Sequence, residues 1–361
     1  MCRMEAVMRT LFHLRQITPN IGNSLIALGH EWLLRRTLGD QVNLVTLDSA
    51  GSRGGFTPNH VYEINQLADG LIVGLGNVFE NGALNIVPSA LSALEVPMLV
   101  LGASSGRVYS SRGKLVRRTD SLPAEQIVLL CQAADEVLVR DESSQVYLQS
   151  LGLEDVQVSG CPTLFLNELV DTLPQDSTTN DCVIISLRNP RRMSVPYRIQ
   201  GRVWADVRSL IEHFRGQGND VRLLCHDVQD VAFASGFPQV PWLYSEDPRR
   251  VLSWLRSAAL SVTFRLHSFL PCMSLGTPSI NLSYDERAKS LVQTVGMSEW
   301  DIDYASTNNI VELVRDRADN LDRYNELIYH AQTKWEEFRR VYTGALHRLV
   351  ERVGGNRLVA A

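Results

Sequence analysis

Short apolar runs rich in β-forming residues alternate with longer segments of helical spacing along most of this chain of 361 residues. Such alternation predicts an α/β fold, in which parallel strands form a sheet with helices on both faces. A first series of predicted strands covers residues 6–14, 42–47, 69–74, 97–102, 136–139 and 156–159. A second series covers 182–187, 221–225, 258–264 and 278–284. The predicted helices between them include 24–38, 58–67, 82–94, 200–216 and 248–257.

A polar stretch at residues 173–181 separates the two series and predicts a domain boundary. We expect an N-terminal Rossmann-like domain over 1–172, a C-terminal Rossmann-like domain over 181–306 and a helical tail over 307–361. The tail is amphipathic and is expected to pack back across the first domain. The predicted fold is therefore two doubly wound α/β domains followed by a helical tail.

Polar residues follow the second-series strands at the points where those strands end. Arg188 follows the first, His226 and Asp230 follow the second, and Arg265 and His267 follow the third. Because the carboxyl ends of parallel strands meet at one crevice, we expect these groups to converge there.

Residues 258–285 are the most informative part of this pattern. They predict a buried strand, a brief helix closed by Gly276, and the next parallel strand. Pro271 is tolerable only in the first turn of that helix. A fixed cation, a titratable imidazole and the amides of a helix N-terminus predict an anion site with a proton donor beside it.

The first domain offers candidates for the opposite edge of the crevice. Gly74-Leu75-Gly76-Asn77 lacks the third glycine of a dinucleotide-binding fingerprint. Asn20, Asn23 and Asn77 carry donors and acceptors suited to sugar hydroxyls. Turn and N-cap roles explain each of them equally well.

Composition and missing motifs exclude several classes of function. The net charge of −5, without a Lys/Arg block, argues against nucleic-acid binding. No P-loop, HExxH or GxSxG motif and no spacing of metal ligands is present, so we expect no metal. The scattered cysteines, the charged N-terminus and the absence of a run of ~20 apolar residues predict a cytoplasmic protein with reduced thiols. The cysteines are Cys2, Cys131, Cys161, Cys182, Cys225 and Cys272.

Taken together, the motifs resemble those of the polysaccharide pyruvyl transferase family. The resemblance is most specific at Phe264-Arg265-Leu266-His267 and at Tyr284-Asp285. It also covers residues 20–23, 69–74, 139–144, 186–188, 226–230 and 276–278.

The resemblance implies two Rossmann-like domains that face each other across a cleft, as in glycosyltransferases of the B type. It also implies transfer of pyruvate from phosphoenolpyruvate to two hydroxyls of a sugar, with no bound cofactor. It places Arg265 and His267 at the site of the donor, phosphoenolpyruvate. It also aligns Arg188 with an arginine that follows a strand in the family. Since phosphoenolpyruvate carries a carboxylate and a phosphate, we expect Arg188 and Arg265 to clamp it, with Arg287 as a further clamp. His267 is the candidate acid, and His226 or Asp230 the candidate base.

The sequence departs from the family pattern at three places. Leu75 and Asn77 interrupt a run of glycines, Cys161 stands where an aspartate is expected, and Arg287 stands where a lysine is expected. The altered glycine turn lies on the presumed acceptor side.

Two other functions remain open from the sequence. One is a glycosyltransferase that uses a nucleotide-sugar donor, and the other is a non-catalytic carbohydrate-binding relative. For the expected enzyme, the acceptor could be a lipid-linked saccharide, a nucleotide sugar or a small glycoside. The oligomeric state is not predicted.

Overall fold

The first half of the chain builds a six-stranded parallel sheet. In the computed structural model, which describes residues 8–359, the strands and a small hairpin are β1 (Arg9–Arg15), β2 (Val42–Asp48), β3 (Gly70–Gly76), β4 (Met98–Ala103), β5 (Val108–Tyr109), β6 (Leu115–Val116), β7 (Glu136–Val139) and β8 (Val156–Val158). The sheet order is β2-β1-β3-β4-β7-β8, while β5 and β6 form an antiparallel pair of their own. The register Leu11↔Gly70 and Leu71↔Met98 keeps the apolar runs side by side in the core.

Helices cover both faces of this sheet. They are α1 (Ile21–Leu38), α2 (Pro58–Leu67), α3 (Pro88–Leu91), α4 (Ala124–Ala133) and α5 (Glu142–Ser150), followed by a 3-10 segment, Pro162–Thr172. Asparagine, threonine and aspartate caps begin α1, α2 and α5, because their side-chain oxygens accept from free backbone amides of the first turn. Residues 8–172 are called the first lobe below.

The second half repeats the pattern with its own six-stranded parallel sheet. Its elements are β9 (Val183–Ser186), α6 (Tyr197–Gly216), β10 (Val221–Leu224), α7 (Val228–Ala234), β11 (Trp242–Leu243), α8 (Pro248–Ser257), β12 (Leu260–Thr263), α9 (Leu266–Leu275), β13 (Ser279–Ser283), α10 (Glu286–Thr294) and β14 (Asp301–Asp303). The sheet order is β11-β10-β9-β12-β13-β14. Residues 183–303 are called the second lobe.

Two helices end the chain, α11 (Ile310–Ala318) and the long α12 (Leu321–Val359). The first part of α12 packs on the second lobe, where Tyr324 donates to the carbonyl of Thr277 and Trp335 to that of Val295. Its later part packs on the first lobe, where the Tyr342 hydroxyl lies 2.7 Å from Nδ1 of His30. One continuous helix therefore contacts both lobes.

Several sequence predictions differ from the observed elements. The helix predicted over 82–94 is reduced to α3, because Asn81 and Gly82 have positive φ and Pro88 occupies the first turn of the helix. The predicted tail helix is broken after Ala318. The hairpin β5–β6 and the short strands β11 and β14 were not predicted. Residues 6 and 7 of the first predicted strand, and Cys2, lie outside the described residues.

The structure agrees with the prediction that Pro271 lies in the first turn of its helix. The formal helix α9 begins at Leu266, but His267 departs from helical geometry with φ −87° and ψ 23°. Regular helix therefore begins after His267, which keeps Pro271 in the first turn, where its missing N–H costs little.

The other described cysteines, Cys131, Cys161, Cys182, Cys225 and Cys272, are buried free thiols. Within residues 8–359, no helix combines the length and apolar character needed to cross a membrane.

Candidate active site

A cleft of about 830 Å³ lies between the lobes and is lined by the carboxyl ends of strands from both sheets. Its lining includes eight arginines but only two acidic residues, Asp227 and Asp285. The arginines are Arg15, Arg118, Arg140, Arg188, Arg191, Arg192, Arg265 and Arg287. A concave site so rich in guanidinium groups favours anionic ligands.

Arg265 lies two residues after the end of β12 and is 7% exposed. Its Nε donates to the carbonyl of Leu187 at 3.0 Å, and its Nη2 donates to Asp227 at 2.9 Å and to Asp230. Its Nη1 has no hydrogen-bond partner among the described residues. Arg265 is thus held rigidly at the cleft wall with one edge available for a ligand.

Asp230 was predicted as a candidate base, and the structure does not place it for that role. Its carboxylate is fully buried, is not part of the cleft lining, and accepts from the amides of Asn189 and His226 as well as from Arg265. Asp230 is therefore a positioning residue for Arg265. Asp227 was not predicted as a site residue. It lines the cleft and forms ion pairs with both Arg265 and Arg188.

His226 lies on the cleft wall but is only 1% exposed. Its Nε2 is 2.7 Å from the Ser268 hydroxyl, which in turn is 2.8 Å from the Ser186 hydroxyl. Burial, reinforced by Arg265, holds the pKa of His226 well below its ordinary value. An imidazole that is weakly basic and already hydrogen-bonded is poorly suited to act as the base. Its hydrogen bond to Ser268 instead favours a structural role.

Arg188 follows β9 and donates to Asp227 from Nη1 at 3.1 Å. Its Nε is buried without a hydrogen-bond partner among the described residues. A buried, unpaired guanidinium N–H is costly in a folded protein unless a ligand completes it.

Arg140 was missed as a site residue, although it follows β7 in the same way that Arg188 follows β9. It is 4% exposed, lines the cleft, and donates from Nη2 to the amide oxygen of Asn77 at 3.3 Å. Its Nε is also buried without a hydrogen-bond partner, 3.8 Å from Asp141. The strand-end rule used for the second lobe would have identified it.

His267 lies where the two lobes meet. A side chain at Gly22 would place its Cβ 3.3 Å from Cβ of His267, so the N-terminus of α1 approaches this imidazole closely. Its Nε2 is 3.9 Å from Sγ of Cys161. Burial, followed by Arg140 and Arg265, lowers the pKa of His267 to about 3, so the imidazole is neutral at pH 7.

Arg287 was predicted to bind the donor as a further clamp. In the structure, however, all three of its guanidinium nitrogens already donate hydrogen bonds. Nη1 donates to the buried Glu80 of the first lobe at 2.8 Å, while Nε and Nη2 donate to Asp285. Arg287 lines the cleft, yet it serves chiefly as an ionic link between the lobes.

Replacing Arg287 with lysine tests this reassignment. Arg287→Lys should lower the free energy of unfolding by about 1 kcal/mol, because one ammonium cannot reproduce the bonds to both Glu80 and Asp285. The KM for an anionic donor should change less than twofold, measured alongside urea unfolding. A KM increase of tenfold or more would restore Arg287 as a clamp.

The predicted acceptor residues all line the cleft, but each has a structural partner. Asn20 caps α1 by accepting from the Gly22 amide, and Asn23 donates to the Thr18 hydroxyl at 2.9 Å. The Asn77 oxygen accepts from Ser104 and Arg140, whereas its amide nitrogen has no partner in the described chain. The amide nitrogen of Asn20 likewise has no partner in the described chain, so Asn20 and Asn77 both retain donors for a ligand.

Comparisons with known proteins agree with this architecture. A sequence model of the family described as polysaccharide pyruvyl transferase matches residues 20–286. No curated protein matches the chain significantly.

Solved structures match over nearly the whole chain. S. aureus MnaA in complex with UDP has a TM-score of 0.58 at 12% identity and covers 95% of each chain. A putative UDP-N-acetylglucosamine 2-epimerase from Listeria monocytogenes gives 0.56 at 12% identity, with 97% of each chain covered. UDP-GlcNAc 2-epimerase from Neisseria meningitidis bound to UDP-GlcNAc gives 0.54 at 13% identity, covering 95% of this chain and 99% of that one. At such identity the likeness shows the fold alone, and it confirms the predicted architecture of the glycosyltransferase-B type.

Proposed function

Since this chain belongs to the polysaccharide pyruvyl transferase family, we propose that it moves pyruvate from phosphoenolpyruvate onto two hydroxyls of a sugar as a ketal and releases phosphate. The main support is a pair of buried guanidinium nitrogens without hydrogen-bond partners among residues 8–359, Nε of Arg140 and Nε of Arg188, one from each lobe. An anion bound between the lobes would satisfy both of them.

The proposed donor site uses Arg140, Arg188 and Arg265. Guanidinium groups bind carboxylate and phosphate through paired hydrogen bonds, and phosphoenolpyruvate presents both groups. Arg140 replaces Arg287 in this assignment, because Arg287 is already bonded to two carboxylates.

The proposed chemistry begins with a proton. Protonated His267 gives its proton to the methylene carbon, which makes carbon 2 electrophilic, and the first sugar hydroxyl adds there. The neutral imidazole then accepts the proton of that hydroxyl. The bond from carbon 2 to the phosphate oxygen breaks, the second hydroxyl closes the ketal, and its proton leaves with the phosphate. The reaction consumes one phosphoenolpyruvate and two hydroxyls and yields one ketal and one hydrogen phosphate, so atoms and charge balance.

The low pKa of His267 makes a specific prediction about donor binding. In the free protein the imidazole is neutral at pH 7, because it is buried near Arg140 and Arg265. Bound phosphoenolpyruvate offsets those two cations and raises the pKa, so binding should take up protons at pH 7.

Calorimetry of phosphoenolpyruvate binding in Pipes and in Tris measures this uptake through the different ionisation enthalpies of the two buffers. The His267→Gln variant is the control for protonation of the ligand itself. Equal proton uptake by the variant and the natural protein would contradict the assignment.

Incubation with phosphoenolpyruvate and a panel of glycosides tests the activity as a whole. We expect phosphate release that depends on the sugar, together with a matching mass gain on the sugar. Absence of both with every acceptor class, including phosphorylated ones, would reject the proposal.

A nucleotide-sugar transferase is the second candidate, because two of the structural neighbours named above are complexes with UDP or UDP-GlcNAc. Thermal stabilisation by UDP and none by phosphoenolpyruvate would favour it. A non-catalytic carbohydrate-binding role predicts that a sugar binds without any turnover of phosphoenolpyruvate.

A further inference from the structure

One rim of the cleft carries arginines that the proposed donor site does not use. They are Arg15, at the end of β1, Arg118, after β6, and Arg191 and Arg192, after β9. We call these four residues the rim arginines.

Three of the rim arginines lack an ionic partner. Arg118 pairs with Asp120, but Arg15, Arg191 and Arg192 have no carboxylate within 4.0 Å in the described part of the chain. The Nε of Arg15 is buried and has no hydrogen-bond partner among residues 8–359. Asp48 and Glu31 lie near enough to influence the pKa of Arg15, although burial dominates and lowers it. Arg15 is thus a partly buried cation with an unsatisfied N–H.

Hydrogen bonds connect the chain segments that carry the rim arginines along one edge of the cleft. Ser49 donates its amide to the carbonyl of Arg15 at 3.0 Å and its hydroxyl to that of Ala83 at 2.5 Å. The neighbouring Gly82 amide donates to the carbonyl of Asp120, the ionic partner of Arg118.

The same edge then crosses to the second lobe. Arg118 donates from Nη1 to the hydroxyl of Ser194 at 3.2 Å. Ser194 comes two residues after Arg192, so the edge reaches from β1 of the first lobe to the loop after β9.

The donor cannot account for this surplus of positive charge. Phosphoenolpyruvate bound at Arg140, Arg188 and Arg265 would not pair with the rim arginines. Arg118 pairs with Asp120, but Arg15, Arg191 and Arg192 would remain without a counter-charge across the mouth of the same cleft.

We propose that the rim arginines form a second anion subsite, which binds the phosphate or diphosphate of a phosphorylated saccharide acceptor. This inference rests on the proposed function for its use in transfer, but the subsite itself is a property of the four arginines. A diphosphate joined to a nucleotide and one joined to a lipid share this chemistry.

Calorimetry with inorganic diphosphate tests the subsite in the full chain at fixed ionic strength. We expect binding in the presence of saturating phosphoenolpyruvate, because the two anions occupy different places. Arg15→Gln and the double variant Arg191→Gln/Arg192→Gln should each weaken diphosphate binding by about tenfold or more. The matched control is Arg208→Gln, an exposed arginine of α6 that is outside the cleft lining, which should change binding less than twofold.

Two further ligands identify the source of the diphosphate. Tighter binding of UDP than of farnesyl diphosphate indicates a nucleotide-linked acceptor, and the reverse order indicates a lipid-linked acceptor. Binding of these ligands supports the subsite whichever of the two binds more tightly.

Two results would overturn it. One is complete displacement of diphosphate by phosphoenolpyruvate, which would mean a single shared site. The other is unchanged diphosphate affinity in Arg15→Gln and in the double variant. If phosphoenolpyruvate itself fails to bind, the proposed function fails, while the titrations without it still report on the rim arginines.

Discussion

Replacement of His267 by alanine should lower kcat by about 10²–10⁴-fold, because the proposed mechanism assigns protonation of the methylene carbon to this imidazole. The KM for phosphoenolpyruvate should rise by less than kcat falls, because the imidazole that takes up a proton on donor binding adds a positive charge near the bound anion. Steady-state phosphate release, measured with both substrates varied, separates these two parameters.

Stability controls make this result interpretable. His267 packs against Gly22, so alanine leaves a small gap, whereas His267→Gln keeps most of the volume and no acidic proton. Both variants should lose turnover and retain a thermal midpoint close to that of the natural protein. Turnover near the natural level in either variant would remove His267 from the proton transfer.

Replacement of Arg265 by glutamine should lower the free energy of unfolding by about 3–5 kcal/mol, as expected when one partner of a buried ion pair is removed. The loss arises because Asp230 is fully buried and has no other cationic partner in the described chain. Binding of phosphoenolpyruvate should fall in the same variant. Urea unfolding and calorimetry measure the two effects separately.

Arg188→Gln is the matched control for this prediction. Arg188 bonds only to the half-buried Asp227 and to a backbone carbonyl, so its loss should cost about 1 kcal/mol or less. Donor binding should still weaken. Adding Asp230→Asn to Arg265→Gln should recover part of the stability, since it removes the unpaired charge. Equal urea midpoints for the Arg265 and Arg188 variants would contradict the proposed role of Asp230.

The sequence was most informative where local pattern decides structure. Strands such as β3 and β4 are runs of apolar residues and glycine that are buried almost throughout, so their positions follow from the local sequence. The parallel arrangement then brings their carboxyl ends to one cleft, which is why Arg188, Arg265 and His267 were found together. The family resemblance identified the same residues and is confirmed by the family match.

The predictions differ from the arrangement in the structure where the partner of a residue is distant in the chain. Arg287 could be recognised as a cation near the site, but its bond to Glu80 joins positions 207 residues apart. The burial of Asp230 likewise depends on Arg265 and on the loop at Asn189. Short strands such as β14 form because a neighbouring strand offers free backbone groups, and two or three residues carry no periodic signal.

The long helix α12 also limits how the cleft can open. A single helix anchored to the second lobe by Trp335 and to the first by Tyr342 resists bending between those two positions. No residue of α12 that the structure describes belongs to the cleft lining, so this helix joins the lobes away from the cleft. Any wider separation of the lobes at the cleft would have to break polar bonds between them, among them those of Arg118 to Ser194 and Arg287 to Glu80.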